Sequence, residues 1–144
     1  MAVTVVSLSA CENARTDTLI QSSQIQDDAL PEPLIDIEGE AKEGEQIFDS
    51  RDAGHCVLCH QINGLDVEFQ GDVGPELTGV GARLTPGQIR LRIVDYQRVQ
   101  PGVTMPSYYR IHDLNQVGEE FEGQPVLTAE QIEHLVAFLS DQKG

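Results

Sequence analysis

The 144-residue chain carries 24 acidic against 9 basic side chains, a formal charge of −15, with seven aromatics and no Trp. That size suits one domain with a tail. The charge excludes nonspecific binding to nucleic acid or to an anionic membrane, which needs positive charge to release counterions. No run of about 18 apolar residues is present to span a bilayer, and three cysteines leave one over after any pairing, which argues against a disulfide framework.

In chain order, Met1–Ala10 (MAVTVVSLSA) is a short apolar run ending at Cys11. Leu8-Ser9-Ala10-Cys11 reads as a lipobox, which makes Cys11 the expected lipidation site and export to the periplasm the expected fate; an ordinary signal cut near Ala10 is the alternative. Residues 12–38 are polar and acidic, with Pro31 and Pro33 and no sustained helical period. Such a segment buries too little apolar surface to offset its ordering entropy, so a flexible tether is expected there, with packing along the domain surface as the alternative.

The folded domain is expected over 39–144. Ala41, Gly44, Ile47 and Phe48 form a narrow helical stripe within Gly39–Ser50. Glycine inside that stripe costs about 1 kcal/mol of helix propensity, which suggests that another element approaches closely at Gly44. The glycine-rich stretch 61–84 reads as loops. Thr85-Pro86-Gly87-Gln88 combines a Thr cap, a proline in the first turn and Gln three residues on, and should open a helix to about Gln97 with Ile89, Ile93 and Val94 inward. Thr128-Ala129-Glu130-Gln131 is a second capping box, and its helix carries Ile132, Leu135, Val136 and Leu139 on one face. Strand signals are weak and there are no repeats. The class is mainly α.

Cys56-Val57-Leu58-Cys59-His60 is C-x-x-C-H, the attachment motif of c-type haem. Two thiols one helical turn apart can each add to a haem vinyl group, and the following imidazole then faces the iron. A zinc site would want four protein ligands, yet His55, His112, His134 and Cys11 stand at no zinc-like spacing. A redox Cys-x-x-Cys would sit in a βαβ pattern that is missing here. One covalently bound haem c is therefore expected on Cys56 and Cys59, with His60 as an axial iron ligand. The other ring nitrogen of His60 should donate to a carbonyl. Gly74-Pro75 is the expected supplier, from its spacing and because it resembles the Gly-Pro that follows the motif in class I cytochromes c. His55 should sit at the exposed start of the haem peptide, and His134 on the polar face of the last helix, without a role.

For the sixth ligand the chain offers two methionines, and Met1 belongs to the leader. Met105 lies between Pro101 and Pro106, 45 residues after His60; His112 is the competitor. His/Met ligation raises the potential and closes the iron, which suits electron transfer rather than oxygen chemistry.

The stretches GPELTGVGARLT (74–85), LRIVDYQRVQPGVTMPSYYRI (91–111), LNQVGEEFEGQPVLT (114–128) and EHLVAFL (133–139) closely resemble SoxX, the monohaem c-type subunit of the SoxAX thiosulfate-oxidising complex. The resemblance implies a class I cytochrome c fold with the first and last helices crossing, so that Gly44 and Phe48 meet the Leu135–Leu139 face. It also implies His60/Met105 ligation and a heterodimer with a larger haem subunit, SoxA. In that subunit a cysteine-ligated haem joins thiosulfate oxidatively to a cysteine of the carrier SoxYZ. The present chain has no spare cysteine at its haem peptide, so its implied part is to take electrons from that reaction and pass them to a further cytochrome. It would be the non-catalytic half of an L-cysteine S-thiosulfotransferase. The alternative is a freestanding, lipid-tethered electron carrier serving an oxidase or another cytochrome.

Charge is unevenly distributed. Residues 12–45 hold 10 acids and 2 bases, whereas residues 83–110 hold 5 arginines and only Asp95. A locally basic face near Met105 is expected from this. Tyr108, Tyr109 and Ile111 would line either a docking face or the haem pocket, and Arg83 or Arg98 would pair a haem propionate or a partner carboxylate.

Overall fold

A computed structural model describes residues 19–144; Cys11 and the leader-like run lie outside the described residues, as does the first part of the acidic segment. Four helices follow in order: α1 (Ala41–Asp49), α2 (Val80–Arg83), α3 (Pro86–Asp95) and α4 (Ala129–Asp141), with 3-10 turns at Ser22–Gln24, Cys56–Leu58, Tyr96–Arg98 and Glu119–Phe121. Among the described residues the only strand-like pairing is an isolated antiparallel bridge between Gln26 and Ala29. The architecture is mainly α, as expected.

Both capping boxes form. Thr85 Oγ1 accepts from the Gln88 amide at 3.3 Å and the Gln88 side chain accepts from the Thr85 amide at 2.9 Å. Thr128 and Gln131 repeat the arrangement at 3.2 and 2.9 Å. Each box satisfies two backbone donors that the first helical turn leaves without partners. Helix α3 stops at Asp95, two residues short of the expected end, and the chain continues as the tighter turn Tyr96–Arg98.

The first and last helices cross in close contact. A Cβ at Gly44 would collide with the His134 carbonyl and stand 2.7 Å from Phe138 Cβ, so only glycine lets the two backbones meet. One turn further, Phe48 and Phe138 stack obliquely with centroids 5.6 Å apart, within the favourable range for tilted aromatic pairs. His134 turns out to have a role: its Nδ1 accepts from the Glu40 amide at 2.9 Å and ties the entry of α1 to α4. Ile89, Leu91, Ile93 and Val94 of α3 and Ile132, Leu135, Val136 and Leu139 of α4 are buried in one core.

Residues 19–38 are not a free tether. Ile20 and Leu30 are buried in the core, and the Leu30 amide donates to the Gly87 carbonyl at 2.9 Å. The segment is fixed by charges from the domain. Arg90 and Glu133 form a buried two-pronged pair at 2.9 and 2.8 Å; Arg90 Nη1 also donates to the Leu30 and Pro31 carbonyls, and Glu133 Oε1 accepts from the Leu34 amide at 2.8 Å. Asp28 pairs with Arg92 at 3.0 Å. Ile25 and Leu34 pack partly buried against the same core, and the domain supplies ready-made polar partners, which a period-based reading does not register.

Candidate functional site

The haem peptide leaves α1 through a turn in which His55, exposed as expected, adopts a left-handed backbone (φ 55°) before the short helical turn Cys56–Leu58. Cys56 and Cys59 are free thiols. Burial pushes the Cys56 thiol up to about 12, so it is held as a neutral sulfur. Among the described residues no group of three or more His, Cys, Asp or Glu side chains is placed to hold a metal ion by itself.

His60 is buried, and its Nδ1 lies 2.8 Å from the Pro75 carbonyl. A carbonyl only accepts, so Nδ1 carries the proton and Nε2 keeps its lone pair. Gly74 forms the seat of the ring: a Cβ there would stand 2.6 Å from Nδ1 and 2.9 Å from Nε2. The Gly74 amide donates to the Cys59 carbonyl at 2.7 Å and the Gly71 amide to the Val57 carbonyl at 2.8 Å, so the loop is latched onto the haem peptide. The Pro75 carbonyl was expected from its spacing together with the resemblance to class I cytochromes c. The pressure of Gly74 against the ring was not. An imidazole with a fixed tautomer, a neutral thiol beside it and a glycine cradle fit a covalently held haem with one histidine ligand.

The second wall of the site comes from the segment after α3. Tyr108 is buried; burial holds its phenol well above the ordinary value, and the neighbouring Cys56 and Cys59 add to this. Tyr108 therefore belongs to the core rather than to an exposed docking face, and Tyr109 is packed partly buried against it. Backbone bonds from Tyr108 to Ile93 and from Tyr109 to Val94 hold this wall to α3. Met105, three residues before Tyr108, packs against the hydrophobic core. His112 instead lines a polar cavity of about 250 Å³ with Asp95, Arg98, Arg110 and Asp113, and its Nδ1 is buried with no hydrogen-bond partner.

The basic face expected over 83–110 is largely neutralised in the fold. Arg90 pairs with Glu133, Arg92 with Asp28, and both Arg98 and Arg110 with Asp95. Arg83 donates to the Thr78 and Glu76 carbonyls at 2.7 and 3.2 Å. Sequence reasoning missed the buried Arg90–Glu133 pair and the convergence on Asp95. The available signal for the latter was a lone acid among five arginines.

The cytochrome c family model matches residues 41–143. Among solved structures, the chain is similar to one in the crystal structure of SoxXA from P. pantotrophus, at 35% identity over 83% of this chain and 93% of that one, with a TM-score of 0.77. It has a more distant likeness to the c-type cytochrome SorU from Sinorhizobium meliloti, at 22% identity over 72% of this chain and 91% of that one, with a TM-score of 0.48. No curated protein matches the chain.

Proposed function

Because this chain belongs to the cytochrome c family, as a SoxX-like member of class I carrying covalently bound haem c, we propose that it is the electron-transfer subunit of a SoxAX-like complex. The observation that carries this reading is the 35% identity and TM-score of 0.77 to a chain of SoxXA. In it, the partner is a SoxA-like larger cytochrome, and the complex joins thiosulfate to a cysteine of a SoxYZ-like carrier. That reaction forms a sulfur–sulfur bond between two anions and releases two electrons. A monohaem subunit accepts them one at a time and hands them to a downstream cytochrome.

Haem c supplies a one-electron iron couple, and the chain's own residues determine how it is held. Cys56 and Cys59 provide the thioether sulfurs. His60 presents Nε2 to the iron, with its ring orientation and basicity set by the Pro75 carbonyl at 2.8 Å. Met105 is the sixth ligand. It is preferred over His112 because its thioether belongs to the apolar side of the loop, whereas His112 faces a cavity lined by charged groups. Tyr108, Val57 and Ile62, all buried, keep water from the site. With His60 and Met105 both holding the iron, no open position would remain, and with Cys56 and Cys59 used for attachment the thiosulfate chemistry would fall to the partner. The haem-attachment motif and the leader-like run before Cys11 support a periplasmic location, with Cys11 the candidate lipidation site and a signal cut near Ala10 the alternative.

Tagged holoprotein expressed with its native neighbours tests the reading. A larger cytochrome should co-purify, and thiosulfate conjugation to the carrier should stop when this chain is deleted. A chain that purifies alone, with conjugation intact after its deletion, defeats the subunit assignment.

A further inference from the structure

We propose that Asp95 is the positioning residue of the Met105 loop, the carboxylate that holds Met105 where it can reach the haem iron; this rests on the reading of Met105 as sixth ligand. Asp95 is the only acid in 83–110. It is 4% exposed, and its two oxygens serve three side chains. Oδ1 accepts from Ser107 Oγ at 2.6 Å and lies 3.5 Å from Arg110 Nη1. Oδ2 accepts from Arg98 Nε at 3.4 Å. Ser107 follows Met105 by two residues and Arg110 follows it by five, so one carboxylate at the end of α3 grips the loop just beyond the methionine.

Three features make this a positioning device rather than an incidental surface pair. Hydrogen bonds to an ionised acceptor are about twice as strong as neutral ones, and the Ser107 contact is among the shortest in the protein. The side chains of Arg98 and Arg110 are only 25% and 15% exposed, so both need a counter-charge at that point. The carboxylate also links two parts of the molecule. Arg98 donates onward to Ser22 Oγ at 3.2 Å and the Ile20 carbonyl at 3.4 Å, which connects the loop anchor to the N-terminal segment. A thioether is a soft, neutral ligand whose hold on iron depends on where the loop puts it. The loop itself is bounded by Pro101 and Pro106, which donate no backbone hydrogen bonds, so the anchoring falls to Ser107 and the residues after it.

The test uses oxidised holoprotein and two readouts: the long-wavelength sulfur-to-iron charge-transfer band, and the rate of cyanide binding to ferric haem. Thermal unfolding is followed in parallel. Asp95→Asn should lose most of the band and bind cyanide about tenfold faster or more, which corresponds to about 1.4 kcal/mol in the opening equilibrium. Ser107→Ala, which removes only the loop-side hydrogen bond, should move both readouts the same way but less. Glu133→Gln, which breaks a buried pair away from the loop, should lower thermal stability while leaving both readouts near wild type. Unchanged band and cyanide rate in Asp95→Asn overturn the inference; where that variant does not fold, unchanged readouts in Ser107→Ala do so. A Glu133→Gln effect on both readouts as large as that of Asp95→Asn also overturns it, because general loosening would then suffice. A wild type without the band, matched by Met105→Ala, overturns the ligation reading itself and is distinguishable on that ground.

Discussion

On the His60 side of the site, the imidazole is seated by backbone: Gly74 presses on the ring, the Pro75 carbonyl accepts a hydrogen bond from its Nδ1, and the loop is latched to the haem peptide through Gly74–Cys59 and Gly71–Val57 bonds. On the Met105 side, backbone bonds from Tyr108 and Tyr109 tie the wall to α3, but the stretch next to the methionine is held through charged and hydroxyl side chains that meet at Asp95. Backbone seating within 15 residues of chain gives a fixed ligand orientation that few substitutions can tune. Side-chain anchoring leaves a wall whose position single substitutions can adjust. The two sides therefore differ in how they should fail. The His60 side should fail by not assembling, and the Met105 side by assembling with a loosened ligand.

The largest effect should come from breaking the rigid side. In Gly74→Ala the new Cβ would sit 2.6 Å from His60 Nδ1, and the backbone cannot retreat, being hydrogen-bonded to Cys59 at 2.7 Å and followed by Pro75. Displacing a residue that orients a metal ligand costs about 10–100-fold in cofactor loading or function. Haem content per mole of purified chain should fall accordingly, and loading at the wild-type level would show that the seat is dispensable.

Next is the charge pair outside the site. Glu133→Gln leaves Arg90 buried without its counter-ion and should destabilise the fold by about 3–5 kcal/mol. Urea unfolding should register that loss while the visible spectrum of the folded protein stays unchanged. A changed axial-ligand spectrum would mean that the two regions are not independent. Asp28 should give the smallest effect. The Gln88 side-chain amide, and then Arg92, hold its carboxyl below the ordinary 3.8. Stability from this contact is present above 3.8 and is lost as pH falls through the lower folded value. Asp28→Asn should therefore raise protease cleavage within 19–38 slightly already at neutral pH, to the level the wild type reaches only in acid, and remove its acid dependence. Acid-dependent cleavage that persists in the variant would assign the effect to another carboxylate.

The parts of this molecule that were legible in its sequence are those whose physics acts over a few residues. Two capping boxes are four-residue signals, C-x-x-C-H is five, and the Pro75 carbonyl lies 15 residues from the ring it orients. Gly44 was legible as an anomaly in a helical stripe, and its reason, the His134 carbonyl, appeared only once α1 met α4. What was not legible was made by pairs distant along the chain. Arg92 finds Asp28 and Arg90 finds Glu133, 64 and 43 residues away. A window count therefore predicted a basic face and an acidic tether where the fold brings the two together and cancels them. The acidic segment was mistaken for a tether because its acids and prolines set no helical or strand period, yet Ile20 and Leu30 are buried, Ile25 and Leu34 pack against the same core, and the domain supplies the polar partners.

The proposed function depends most on closure of the iron by His60 and Met105, which would make this chain a carrier of electrons and leave the sulfur chemistry to a partner. Met105→Ala in the oxidised holoprotein tests it directly. The wild type should show the sulfur-to-iron band and resist cyanide, and the variant should lose the band, bind cyanide readily and have a lower potential. A variant indistinguishable from wild type in all three would place the sixth ligand elsewhere and contradict the account.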